Sequence, residues 1–428
     1  MRRWMRWTFI WLVLACAGSA QDENQPQRIV LSWERDPATS QSVSWRTVRH
    51  LDHAVGQVVK VKEWARMFDD SARTVKARPA RIKTQTGAAY THYNVLFDRL
   101  EPGARYAYRV GCEDHWSEWN LFRTAGADSA AFSFFYLGDV QNDIRSEVAP
   151  LLRAMYADAP QSRFIVFAGD LVNRGSEDAN WAEFFEAFGH ILRMTPLIAA
   201  PGNHDTDKEM LDDRGNRKVD PLYLAHFAFP QDGPEADHFK ETAYTLDYQC
   251  ARIIVLNSNA YNDDRQLRWL ESALAAPRKP WTIVLFHHPV YSTGSERDNT
   301  ELRAMLAPLF EKYAVDLVLQ GHDHYYGRTG KIFQGKIAAA DAAAPIYAVS
   351  ISGPKMYKQN QTFTHLMRRM IGETQLYQIL TLSPRYLTYV CKSLDGEVKD
   401  GFTLVRQDQG TVLVEKPLPA AGCSCAVR

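Results

Sequence analysis

Five short clusters place metal-ligating side chains directly behind apolar runs. "GDVQ" carries Asp139 and Gln141, "GDLVNRG" Asp170 and Asn173, "GNHD" Asn203, His204 and Asp205, "FHHPVY" His287 and His288, and "GHDH" His322 and His324. One ion is satisfied by three or four such ligands, so the set is large enough for two cations sharing a carboxylate, held otherwise by imidazoles and hard oxygens. Glycine ahead of Asp139, Asp170, Asn203 and His322 permits tight turns and close backbone approach to ions. Taken singly, each cluster has an ordinary reading. A Gly-Asp after a strand is a common turn, and a lone histidine beside an apolar strand is most often a hydrogen-bonded structural residue. The ordered recurrence of all five is what points to chemistry, with "GNHD" and "GHDH" the costliest to bury without partners.

The elements that must position these clusters are short strands alternating with helices from residue 131 onward, the rhythm of an α/β domain. Strands are expected at "FSFFYLG", "RFIVFAG", "TPLIAAPGN", "ARIIVLN", "WTIVLFHH" and "VDLVLQGH", and helices at "SEVAPLLRAMYADA" and "NWAEFFEAFGHILR". Ligands in open α/β sheets bind off the carboxyl ends of strands, which is where the clusters fall. Residues 205–243, charged and broken by prolines, form a long excursion that could wall the site. Ahead of a small-residue linker, "AGADSA", residues 27–125 alternate as an all-β module; its "LEPGARYAYRVG" has the pattern of a sandwich tyrosine corner at Tyr106. Two or three further strands complete a sheet after "APIYAVSISGP", so the α/β domain is bounded at 131–407, with 408–428 as a tail.

Formal charge is zero over 428 residues, with no basic block and no acidic tail. That argues against nucleic acid as a partner, beyond a nucleotide as substrate, and against a polybasic membrane patch. "MRRWMR", then "WTFIWLVLACA" and "GSA", read as a signal peptide over residues 1–20 of an exported protein. An alternative is lipidation of Cys16, the one route to a membrane. Cys112, Cys250, Cys391, Cys423 and Cys425 lack zinc-ribbon spacing, though an oxidising compartment would allow one or two disulfides.

The series GD, GDxx, GNH, VxxH and GHxH, here Asp139, Asp170, Asn203 with His204, "VLFH" ending at His287, and His322 with His324, resembles the calcineurin-like metallophosphoesterases. "RIVLSWERDPATSQSVSWRT" with its β module, and "GHDHYYGRT", resemble purple acid phosphatases. The resemblance covers nearly the whole mature chain. It implies a two-sheet αββα sandwich behind a fibronectin type III-like domain, and two metal ions, iron with manganese or zinc. By motif, Asp170 would bridge both ions, Asp139 and His324 would bind the first, and Asn203, His287 and His322 the second. His204 would face the phosphate, with Asp205 available to orient its ring. The implied activity is hydrolysis of a small phosphate ester, a monoester first, by attack of a metal-bound hydroxide.

Departures from that pattern matter. Asn173 stands where purple enzymes have a ligand tyrosine, and Gln141 where related enzymes have a histidine. Either amide could ligate the first ion or hydrogen-bond a water on it, and without a phenolate the protein is expected not to be purple. His288, one residue beyond a ligand in an extended segment, should point away. No counterpart of the downstream substrate-binding histidines is evident, so Arg174, Arg297 and Arg328 are the phosphate contacts to test. Two competing functions remain: a phosphodiesterase on nucleotides or glycerophosphodiesters, and a non-catalytic binding or adhesion protein with a decayed site.

Overall fold

The computed structural model describes residues 22–61, 72–408 and 410–416. The leader at 1–20 with Cys16, and Cys423 with Cys425, lie outside the described residues. Strands of alternating apolar character build the N-terminal module from two sheets. One contains Gln27–Ser32, Gln41–Thr47, Ala89–Phe97 and Arg78–Lys83; the other contains Arg73–Lys76, Val55–Lys60, Arg105–Cys112, His115–Trp116 and Asn120–Arg123. Val43, Trp45, Val95, Phe97 and Tyr108 fill the space between. At the expected corner the Glu101 N–H donates to the Tyr106 hydroxyl at 2.9 Å, which fixes the turn before that strand.

Two further sheets pack face to face in the α/β domain. The first runs Leu197–Ala199, Ile165–Phe167, Phe132–Leu137, Leu376–Leu382, Tyr386–Ser393, Val398–Gln407, Gly410–Val414, with its first three strands parallel. The second has Ala251–Val255, Trp281–Leu285, Leu317–Gln320 and Ile346–Val349 in parallel at its centre. Phe135 and Leu380 from one sheet and Ile253, Leu285 and Leu319 from the other share one apolar core. Outside lie helices Ala149–Asp158 and Asp178–Phe188 on one flank and Asp264–Ala275 and Thr300–Lys312 on the other. This is the expected αββα sandwich.

One boundary needs correction. Residues 408–428 are not all tail: Gly410–Val414 pairs along Val398–Gln407 as the edge strand, and Leu413 is buried. The hydrophobic alternation of "GTVLV" is too short to stand out without its partner. Among the described residues Cys112, Cys250 and Cys391 are buried free thiols.

The two halves are joined by a buried charge cluster. Arg28 and Arg46 of the module reach Asp178 Oδ1 at 2.7 and 2.6 Å, with Arg28 also donating to His226 Nε2 at 3.1 Å. His92 lies edge-on to His226 with ring centres 4.8 Å apart. Burial, then Arg46 and Arg28, push His92 down from 6.5 to about 3. Its folded value lies below its unfolded one, so the unfolded chain takes the proton first. Stability present above pH 6.5 is therefore lost as pH falls toward 3, at about 1.4 kcal/mol per pH unit from this ring. Urea unfolding across that window should show His92→Gln with the shallower slope; an unchanged slope would remove His92 from the account.

Candidate metal centre

Every strand that supplies a cluster ends where the chain must turn sharply. Asp139, Asp170, His322 and His324 all have left-handed backbone, with φ of 50°, 51°, 75° and 46°. Non-glycine residues seldom take that conformation, and its concentration here marks a constellation held against local preference. The glycines beside them are required by close approach: a Cβ on Gly202 would collide with the Asp170 carboxylate, and one on Gly321 with that of Asp139. Asp323 is a fixing residue that the sequence reading missed. It is fully buried, and its Oδ2 accepts the N–H groups of Thr293 at 2.6 Å and Gly294 at 3.2 Å, which anchors the "GHDH" loop.

The clusters converge into two groups of ligand atoms, Asp139 with Asp170 and His324, and His287 with His288 and His322. Asn203 joins the second. His287 donates Nδ1–H to the Ala168 carbonyl at 2.8 Å, leaving Nε2 facing Asp170 Oδ2 at 3.3 Å, Asn203 Oδ1 at 3.1 Å and His322 Nδ1 at 3.1 Å. The carboxylate and amide oxygens can only accept, so these contacts are repulsive unless a proton or a metal ion sits among them. Burial opposes charge on His287, yet Asp170 and Asp139 hold it up at about 9, the mark of a site that wants a cation. On the other side His324 gives Nδ1–H to the Lys355 carbonyl at 2.9 Å and turns Nε2 toward Asp139 Oδ1 at 3.7 Å, an oxygen with no hydrogen-bond partner. The donor set, its fixed tautomers and this orphaned carboxylate oxygen fit a pair of metal ions.

Other sequence expectations meet the structure unevenly. His204 lies beside the cluster, its N–H on Asp170 Oδ1 at 2.8 Å, but Asp205 does not orient its ring. The ring's Nδ1–H goes to the Asn173 carbonyl at 2.6 Å. Asp205 instead accepts backbone N–H groups from Asp170, Leu171 and Gly202, clamping two ligand loops together. His288 also departs from expectation. The strand ends at Leu285, so the alternation of an extended chain no longer applies, and its ring lies 4.5 Å from that of His322 with Nδ1 on the Ser258 hydroxyl at 2.8 Å.

Of the three arginines, only Arg297 is at the rim, donating to the His322 carbonyl at 3.1 Å and stacked over Tyr357. Arg328 is buried in ion pairs with Asp400 and Glu415 at 2.7 and 2.9 Å, and Arg174 is exposed and paired with Glu177. Neither is brought to the ligand groups. A pocket of about 510 Å³ opens beside Asn203 and His288, lined also by Thr206, Arg217, Tyr261 and Glu301. Arg217 was missed, although it lies in the 205–243 excursion; no ion pair engages it among the described residues.

The calcineurin-like phosphoesterase family matches residues 132–326, and the purple acid phosphatase N-terminal domain matches residues 26–124. The chain carries a calcineurin-like phosphoesterase domain behind a purple acid phosphatase N-terminal domain. This phosphoesterase is similar to mouse acid phosphatase type 7, at 24% identity over 458 residues, 95% of this chain and 98% of the relative. The Fe(3+)-Zn(2+) purple acid phosphatase 12 of Arabidopsis thaliana is 24% identical over 353 residues, 76% of this chain and 71% of its own. Purple acid phosphatase PPD1 from yellow lupin seeds shares the fold, with a TM-score of 0.76 at 18% identity over 90% of this chain and 75% of that one. The phosphoesterase is thus a metal-dependent phosphoric ester hydrolase.

Proposed function

We propose that the chain hydrolyses phosphate monoesters at a two-ion centre and does so after export. The observation that carries this is the buried convergence of two acceptor oxygens and the His322 ring on His287 Nε2, beside an orphaned Asp139 oxygen. In this reading Asp139, Asp170 and His324 would hold one ion and Asn203, His287 and His322 the other, with Asp170 shared between them. The chemistry that such ions would supply is activation of a water and neutralisation of the phosphoryl oxygens.

The chain's own residues do the rest. With Nδ1–H committed to the Asn173 carbonyl, His204 has Nε2 left to carry a proton toward the departing ester oxygen. Arg297 at the rim suits a phosphoryl oxygen. The pocket holding Arg217 and Tyr261 receives the leaving group, and its 510 Å³ also leaves room for the second arm of a diester, which keeps a phosphodiesterase as the second reading. The fibronectin-like module at 27–125 frames the catalytic domain, and the basic-apolar start of the chain supports export, with Cys16 lipidation as the alternative. No helix among the described residues is long and apolar enough to cross a membrane.

Protein purified without chelator should contain two ions per chain, show no purple band, and hydrolyse p-nitrophenyl phosphate faster than bis-p-nitrophenyl phosphate. His322→Ala should lose that hydrolysis while its circular dichroism stays unchanged. Faster diester cleavage would transfer the assignment to the second reading. Absence of bound metal, with neither ester cleaved after iron, manganese or zinc is added, would refute the proposal.

A further inference from the structure

We infer that Gln141 is itself a ligand, giving its amide oxygen to the ion held by Asp139, Asp170 and His324, and that this ion is divalent. The assignment rests on the two-ion reading above and deepens it. Gln141 is wholly buried, and its terminal Nε2 lies 3.0 Å from Asp170 Oδ2 and 3.2 Å from His324 Nε2. Neighbouring ligands at right angles around an ion with bonds of about 2.1 Å stand about 3 Å apart, so the amide occupies the place of a fourth ligand.

Its orientation tells more. With the NH2 group inward, it addresses two lone pairs that a bound cation would take, and it leaves Oε1 buried with no partner. The two ends of an amide have nearly the same size and exchange by half a turn of one bond. Turned over, Gln141 brings its oxygen to the place where an ion held by Asp170 and His324 would lie.

Asn173, the other amide in question, is placed differently. It borders a small polar pocket with Asn142, Asp143, Ile144, Asn180 and Glu183, none of them in the Asp139–Asp170–His324 group, and its backbone carbonyl is occupied by His204. The first ion therefore has one imidazole nitrogen, two carboxylates of which one is shared, and one neutral amide oxygen. No phenolate adds the negative charge that would favour a trivalent ion. Hard neutral and carboxylate oxygens with a single imidazole suit manganese, magnesium or iron(II).

The test is a crystal structure of the manganese-loaded protein, with manganese titrations of metal-depleted wild type, Gln141→Met and Asn173→Ala followed by calorimetry and electron paramagnetic resonance. A Gln141 oxygen about 2.2 Å from the ion is expected. Methionine preserves the volume but offers no hard donor, so one of the two sites should weaken by more than about 100-fold, beyond the loss of an outer hydrogen bond. Asn173→Ala should keep both sites. An amide more than about 3 Å from the ion, or a smaller loss in Gln141→Met, would overturn the ligand assignment, and a ferric signal from this site in protein as isolated would overturn its divalency. Wild type that takes up no manganese would overturn the two-ion reading, and the ligand assignment with it.

Discussion

Asp170→Asn is expected to cut phosphate ester hydrolysis by roughly 10³-fold or more and to abolish the effect of chelator on thermal unfolding. The Asp170 carboxylate faces both ligand groups. Its Oδ2 lies 3.3 Å from His287 and 3.0 Å from Gln141, and its Oδ1 holds the His204 backbone. Asparagine keeps the shape but loses the charge that, in the proposed reading, would pair with cations on both sides. Ions bound only by the folded wild type stabilise it by about 2.7 kcal/mol when present at 100 times their dissociation constant. EDTA should therefore lower the melting temperature of wild type and leave that of Asp170→Asn where it is. An Asp170→Asn protein that still cleaves its ester at the wild-type rate would show that the carboxylate bridges nothing.

Asp178→Ala should lower the free energy of unfolding by about 3–5 kcal/mol, the range for breaking a buried ion pair from one side. Both guanidiniums that it neutralises are nearly sealed, with Arg28 and Arg46 side chains each 6% exposed. Burial, then the nearby Arg46, already hold Arg28 down at about 10. Without the carboxylate the two cations of the N-terminal module repel each other unneutralised at its junction with the catalytic domain. Urea titration with intrinsic fluorescence would measure the loss. A change below about 1 kcal/mol would shift the credit for docking to Trp33, whose ring packs on Phe164 and Tyr248 of the catalytic domain.

What was legible in the chain was whatever depends on local order. The expected core strands and the first named helix formed, while the second is broken at Gly189 into Asp178–Phe188 and Ile191–Met194; apolar runs bounded by glycine carry their own punctuation, and the glycine-preceded clusters came together because parallel strands end on one side of a sheet. What was not legible depends on direction. In the tight "GNHD" turn, spacing alone does not say whether Asp205 turns toward His204 or toward three backbone N–H groups. Arg328 looked available beside "GHDH" until Asp400, distant in sequence, lay opposite it. Arg217 and Asp178 carry no motif, and only the packing of remote segments gives them a setting.

The sheet that carries Asp139 and Asp170 is closed by some of the last strands to be made. Phe132–Leu137 pairs on one side with Ile165–Phe167 and on the other with Leu376–Leu382, after which the remaining strands follow to Val414. A ribosome must therefore make the strands from Leu376 onward before the catalytic sandwich can shut. Such late, long-range pairing folds slowly, so the turns that carry Asp139 and Asp170 wait for their sheet to be completed by segments far along the chain.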